Sequence, residues 1–214
     1  MFEKVYLYCE RSENPAFWAE PVNALTNMLF LVSAWLVWRH SKKLGAESQG
    51  ISLLLVLICA IGMGSFLFHT FATTWARWLD VLPILLFQLL YAWLYFREVG
   101  KARFVYTLAI VLGYLLAAII GRRFSDILNG LPIYVPALVF LSGLGIYHVA
   151  TRRIERFVLL GAAGAFIFAL TCRTVDKAVC PCFPLGTHFM WHVCNALALY
   201  LLMRGLLANC SRSS

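Results

Sequence analysis

Long apolar runs alternate with short polar breaks along the whole chain. The runs recur at about 21–38, 51–70, 79–96, 104–120, 131–149, 157–172 and 187–207. Each is close to the roughly 20 residues that an α-helix needs to cross a hydrocarbon layer of about 30 Å. The pattern predicts an all-α membrane protein: a bundle of seven transmembrane helices in a single domain over residues 1–214, with residues 1–20 as an extramembrane segment. The run at 157–172 is the shortest, so six helices plus a re-entrant piece is the alternative. Every loop is short, and neither an internal repeat nor a low-complexity segment interrupts the series.

Composition agrees with that reading. Charged residues make up 13% of the chain and hydrophobic ones 62%, against roughly 25% charged in soluble domains. The net charge of +8 would suggest nucleic acid as a partner in a soluble protein. In a membrane protein it reads first as topology, because Lys and Arg collect on the cytoplasmic side. The stretches 39–43, 97–103 and 152–156, with Arg204 and Arg212, carry more basic residues than the opposite side, which holds Lys4, Arg11, Arg77, Arg122, Arg123, Arg173 and Lys177. The C-terminus is therefore expected in the cytoplasm and the N-terminus outside or in a lumen. The expected partners are the bilayer and a lipid, with no nucleic acid and no obligate protein partner evident. Residues 1–20 hold Glu3, Lys4, Glu10, Arg11, Glu13 and Glu20 ahead of any apolar stretch, which does not read as a cleavable signal peptide.

Against this background five polar residues stand out: Ser65, His69, Asp80, His188 and His192. An ionisable group at membrane depth costs about 2.5–3.5 kcal/mol on insertion scales and marks a functional candidate. In an up-and-down bundle the end of the second run and the starts of the third and seventh lie on one side, so all five share one depth. The four-residue spacing stacks Ser65 beneath His69 and aligns His188 with His192. Two imidazoles on one turn and a third from a neighbour are three nitrogen ligands for a zinc ion with an open fourth position. Such a zinc lowers the pKa of its water from about 15.7 to about 7. Asp80 is placed to accept that water's proton, and Ser65 to donate to the oxyanion formed on an attacked carbonyl. Taken singly, each histidine could instead be a helix-packing hydrogen-bonder, and Ser65 a carbonyl cap. Trp18, Trp75, Trp78 and Trp191 read as an interfacial aromatic belt. His40 and His148 read as interfacial residues on the opposite side.

The same residues resemble the alkaline ceramidase family, within a wider superfamily of seven-helix membrane hydrolases that includes the adiponectin receptors. "GSFLFHTF" is similar to the family's segment with Ser four residues before His, "LDVLP" to its Asp-Glu-Leu-Pro, and "HFMWH" to its terminal HxxxH. The resemblance implies His69, His188 and His192 as zinc ligands, Asp80 as the carboxylate beside the zinc water and Ser65 as the oxyanion donor. "YCERSENPAFWAEPVNALTN" resembles the family's opening segment, whose carboxylates help to hold calcium, and so implies a calcium site at Glu10, Ser12 and Glu20. The match is partial: Leu7 stands where the family has Asp, Ser12 where it has Asn, and Arg11 brings an opposing charge to a cation that needs six to eight oxygens. Without calcium, Glu10 would pair with Arg11 or Arg77, and Glu20 would cap the first helix ahead of Pro21. Among the cysteines, "VDKAVC" resembles the family's loop before the last helix, which implies a Cys9–Cys180 disulfide. A zinc knuckle at "CPC" is the rival.

The resulting expectation is an intramembrane zinc-dependent amidase that cleaves ceramide or a related N-acyl lipid into a sphingoid base and a fatty acid, with its site towards the outer or lumenal side. The alternatives are an esterase or phospholipase of the same superfamily, and a seven-helix receptor whose structural zinc takes Asp80 as a fourth ligand. A transporter with a midplane site fits less well, because the five residues lie near one surface.

Overall fold

The computed structural model describes residues 2–124 and 127–210. Its helices are α1 (Pro21–Thr26), α2 (Met28–Leu44), α3 (Gln49–Phe71), α4 (Thr74–Leu94), α5 (Phe104–Arg122), α6 (Val135–Ala150), α7 (Val158–Val179) and α8 (His188–Cys210). A π-turn over Tyr95–Val99 prolongs α4, and a 3-10 turn over Leu128–Ile133 precedes α6. Six helical stretches are long and apolar enough to cross a membrane: Pro21–Leu44, Gln49–Phe71, Thr74–Val99, Phe104–Arg122, Val158–Val179 and His188–Cys210. Val135–Ala150 is a shorter apolar helix. Large apolar side chains such as Val56, Met63, Val105, Val139 and Ile146 face outwards, as a chain solvated by lipid requires.

The helix boundaries differ from the apolar runs in instructive ways. The short helix is α6, with 16 residues, and not the stretch at 157–172. There α7 continues past Arg173, Asp176 and Lys177 to Val179 and reaches 22 residues. Its polar end is tolerated because Asp176 accepts the amide protons of Cys9, Thr187 and His188, while Arg173 lies over the rings of Tyr134 and Trp191. Similarly α2 runs through Arg39, Lys42 and Lys43 and stops at Gly45, whose φ of 60° closes the helix, since long cationic side chains can carry their charges out to water. The first span is broken at Asn27, where Thr26 Oγ1 and Asn27 Nδ2 bond back to carbonyls of Val22 and Asn23. Such side chains compete with the helical ladder. Arg212 lies outside the described residues.

α8 is central, packing against α2 and α7 and against the π-turn. Ala196, Ala198, Met203, Gly205, Leu206 and Leu207 are buried along it. α3 packs closely on α4, and Gly64 sets their separation: a Cβ there would stand 2.0 Å from the Leu79 carbonyl oxygen and 3.1 Å from the Asp80 nitrogen. The backbone contact brings Ser65, the next residue on α3, beside Asp80 on α4.

The segment before α1 straps this end of the bundle. Val5 N donates to Ala72 O at 2.8 Å, Thr74 N to Glu3 O at 3.2 Å, and Lys4 Nζ to Phe71 O at 2.8 Å. Cys9 and Cys180 form a disulfide with a Cα–Cα distance of 5.7 Å, and Cys182 is free and exposed, so "CPC" is no zinc knuckle. The strap thus covers the end of α3 and the start of α8 together.

Gly64→Ala is expected to force α3 and α4 apart, costing more than the roughly 1–3 kcal/mol of ordinary overpacking because the obstacle is backbone. Thermal unfolding in detergent should show a clear fall in the midpoint. A midpoint equal to that of the unchanged chain would mean that this crossing is not a tight one.

Candidate functional site

His69 comes from the last turn of α3, and His188 and His192 from the first two turns of α8. All three are buried, with exposures of 1%, and one ligand nitrogen from each lies within 4.8 Å of the others. Their hydrogen bonds define which nitrogens are committed. His69 Nδ1 contacts Glu20 Oε2 at 2.5 Å, so Nδ1–H donates a hydrogen bond to the carboxylate and Nε2 keeps its lone pair. Thr26 Oγ1, which donates to a carbonyl of α1, stands 2.9 Å from His192 Nδ1. Having one proton to give, the hydroxyl must accept from that ring, which leaves His192 Nε2 as the acceptor. His192 Nε2 and His188 Nδ1 are buried without a hydrogen-bond partner. Orphaned buried nitrogens are costly unless something binds them, and three neutral imidazoles are the donor set of a zinc ion. The residues fit a metal.

The shell around them is built as carefully. Tyr8 stacks on His188 with ring centroids 3.5 Å apart and an interplanar angle of 13°. Asp176 holds the amides of Thr187 and His188 and so fixes the start of α8. Gly186, at φ 67°, is required beside it, because a Cβ would stand 2.2 Å from Asp176 Oδ1 and 2.6 Å from Cys9 Cβ. Glu20 is buried, which by itself would raise its pKa; the hydrogen bond and charge of His69, and then those of Arg11, outweigh burial and hold the carboxyl below its ordinary value.

The N-terminal carboxylates have other duties than the sequence suggests. Glu10 accepts the amide protons of Val22 and Asn23 at 2.7 and 2.8 Å and caps α1. Burial raises its pKa, and these two bonds oppose the rise only in part. Glu20 pairs with Arg11 at 2.6 Å and makes no cap, so the two roles are exchanged relative to expectation. Ser12 is exposed. Glu10 and Glu20 are near enough for their charges to interact, and all four of their carboxylate oxygens are engaged by groups of the chain itself.

Ser65 and Asp80 meet beside the histidines at one end of an apolar cavity, together with His192. The Asp80 carboxyl has the Ser65 hydroxyl, His69, Arg173 and Arg77 around it. The cavity continues between α4, α6, α7 and α8 down to Leu144 and Leu202. His192 to Leu202 is about 15 Å of helix, half of a hydrocarbon layer of about 30 Å. Trp191 belongs to this wall, 9% exposed and against Tyr134 and Phe166, and not to an interfacial belt. Trp18 and Trp78 are exposed at 53% and 58%, as a belt requires. His148, near the end of α6, is fully buried within the protein, with Nδ1 2.6 Å from the Tyr95 hydroxyl and Nε2 3.0 Å from Ile154 O.

Sequence reasoning missed Tyr8, Asp176 and the cavity face of Trp191. A signal for Trp191 was present: His188, Trp191, His192 and Asn195 recur at the i, i+3, i+4, i+7 spacing of one helix face. Tyr8 lies in an irregular segment, which carries no period, and Asp176 sits in the part of α7 that continues beyond the apolar run.

Removing the carboxylate with Glu20→Ala should leave all three imidazoles but weaken metal binding by about 10–100-fold, the usual effect of losing a group that orients a ligand. Competition between the protein and a zinc-chelating dye measures this. Unchanged affinity would mean that Glu20 does not orient His69.

The family model for ceramidase matches residues 8–211. No curated protein matches the chain. The matched interval takes in Tyr8, the three histidines, Ser65, Asp80 and both ends of the disulfide, and on this match the chain belongs to the ceramidase family.

Proposed function

We propose that the chain is a membrane-embedded, zinc-dependent amidase that hydrolyses ceramide, or a closely related N-acyl lipid, to a sphingoid base and a free fatty acid. One observation carries the reading: three buried histidines cluster, two of them with orphaned nitrogens, and one of these, His192, lines an apolar cavity together with Ser65 and Asp80. Family membership supports the same substrate class.

The residues divide the work. His69, His188 and His192 would hold the zinc, which supplies Lewis-acid activation of water and carbonyl. Phe87, Tyr91, Leu141, Leu144 and Leu202 line the space in which an acyl chain is bound and water excluded. That burial fixes the amide at the polar end of the cavity. Asp80 accepts the proton of the attacking water and returns it to the amide nitrogen, so that the amine leaves neutral. The Ser65 hydroxyl donates to the carbonyl oxygen as its charge grows. A closed structural site would need a fourth protein ligand, but Asp80 does not join the histidine cluster. The open position is what a hydrolase requires and a structural zinc does not.

For topology we propose seven crossings, with α6 and the turn before it completing the shortest, the N-terminal strap and metal centre on the outer or lumenal side and the C-terminus in the cytoplasm. The basic residues of the opposite end, Arg97, Arg152, Arg153 and Arg204 among them, support this orientation.

Purified zinc-loaded protein incubated with ceramides, N-acyl amines and diacylglycerols should release fatty acid from the first class, read by mass spectrometry. Release from diacylglycerols alone would favour an esterase. Asp80→Asn should keep its zinc and lose catalysis, since an amide cannot take the proton. Ser65→Ala should keep zinc and lose about 10²–10³ in turnover, the usual effect of one oxyanion donor. Loss of zinc from Asp80→Asn, in a protein that cleaves none of these lipids, would replace the hydrolase by a receptor with a structural metal.

A further inference from the structure

A second set of oxygens converges a few ångströms behind His69, and a side chain fills it. Arg11 is buried, with 1% exposure. Its Nε donates to Glu20 Oε1 at 2.6 Å, its Nη1 to the carbonyls of Asn14 at 3.1 Å and Ala16 at 2.7 Å, and its Nη2 to those of His69 at 2.8 Å and Thr70 at 3.1 Å. A guanidinium has five N–H donors, and each here has its own oxygen. Those oxygens come from the strap, from the entry to α1 and from the last turn of α3, whose carbonyls have no helical partner of their own. Their clustering is what a cation site looks like, and the cation is covalently part of the chain.

The groups that would make up a calcium shell are used elsewhere. Both Glu10 oxygens are held by the amides of Val22 and Asn23, Ser12 is exposed and position 7 is Leu. Calcium takes six to eight oxygens. A divalent ion at this point would also face the repulsion of the guanidinium at close range.

We infer that the Arg11 guanidinium is a built-in cation in the place where the resemblance implies calcium, that it is a positioning residue for His69 acting through Glu20 and the end of α3, and that metal binding by this chain is independent of calcium. Arg11 fixes one Glu20 oxygen, and the other is then aimed at His69 Nδ1. By taking the His69 and Thr70 carbonyls as well, it fixes the backbone that carries the imidazole. The positioning part of the inference rests on His69 being a metal ligand, as proposed above.

The test reads metal retention and melting, not lipid hydrolysis. For the unchanged zinc-loaded protein, zinc retention against a chelating dye and the thermal midpoint should be the same in excess calcium and in a calcium-selective chelator, and calorimetry should detect no stoichiometric calcium binding. Arg11→Ala should lose zinc affinity about 10–100-fold and regain part of it in millimolar guanidinium but not in equal sodium. Arg11→Lys, with three donors in place of five, should fall between. Stoichiometric calcium binding by the unchanged protein, a calcium-dependent midpoint, or Arg11→Ala and Arg11→Lys proteins that hold zinc as tightly as the original would overturn the inference. Should Arg11→Ala fail to fold, Arg11→Lys and the calcium measurements decide it. If the unchanged protein holds no zinc at all, the hydrolase reading fails, while a midpoint indifferent to calcium and lowered in Arg11→Lys would still support the built-in cation.

Discussion

The buried carboxylate of Glu20 is the constraint around which this end of the molecule is organised. One oxygen meets Arg11 and the other His69, so a charge that would be costly in a dry interior is compensated on both sides. Removing Arg11 would leave the buried carboxylate without its cationic counterpart. The pair also determines chemistry, because a carboxylate on Nδ1 fixes the His69 tautomer and makes the opposite nitrogen a better donor to a metal. Thr26 does the same for His192 with a neutral hydroxyl. Two imidazoles are thus set by the strap and α1 before any metal arrives.

The third is set from the other side of the bundle. Asp176, near the end of α7, grips the first amides of α8 and the amide of Cys9, while the disulfide ties the strap to the same loop. Tyr8, immediately before Cys9, lies flat on His188 as a consequence. Strap, α3 and α8 are therefore fastened to one another at the depth of the histidines. The Gly64 contact between α3 and α4 adds Ser65 and Asp80 at that same depth. The cavity below needs only apolar walls, and helices α4, α6, α7 and α8 supply them.

Much of this was legible in the sequence where a helical period carries it. The apolar runs locate the helices, and the i,i+4 pairs Ser65–His69 and His188–His192 bring the polar residues to one end. Boundaries were less legible, since apolar runs stop at the first charge whereas α2 and α7 continue through theirs once Arg39 and Lys42 extend outwards and Asp176 finds amides. The duties of Glu10 and Glu20 were exchanged for a different reason. Both lie in a segment without regular structure, where spacing does not determine direction, and only the fold reveals that Glu10 reaches forward to Val22 while Glu20 turns back to Arg11. Arg11 was visible as an opposing charge but not as a buried one.

The central claim is that three imidazoles hold a metal with one position left open towards the cavity. X-ray absorption at the zinc edge of the purified protein tests it most directly. Three imidazole nitrogens at about 2.0–2.1 Å and a single further oxygen, exchangeable for an added small ligand, are expected of an open site. A fourth protein ligand that no added molecule displaces, or a shell containing thiolate sulfur at about 2.3 Å, would contradict it.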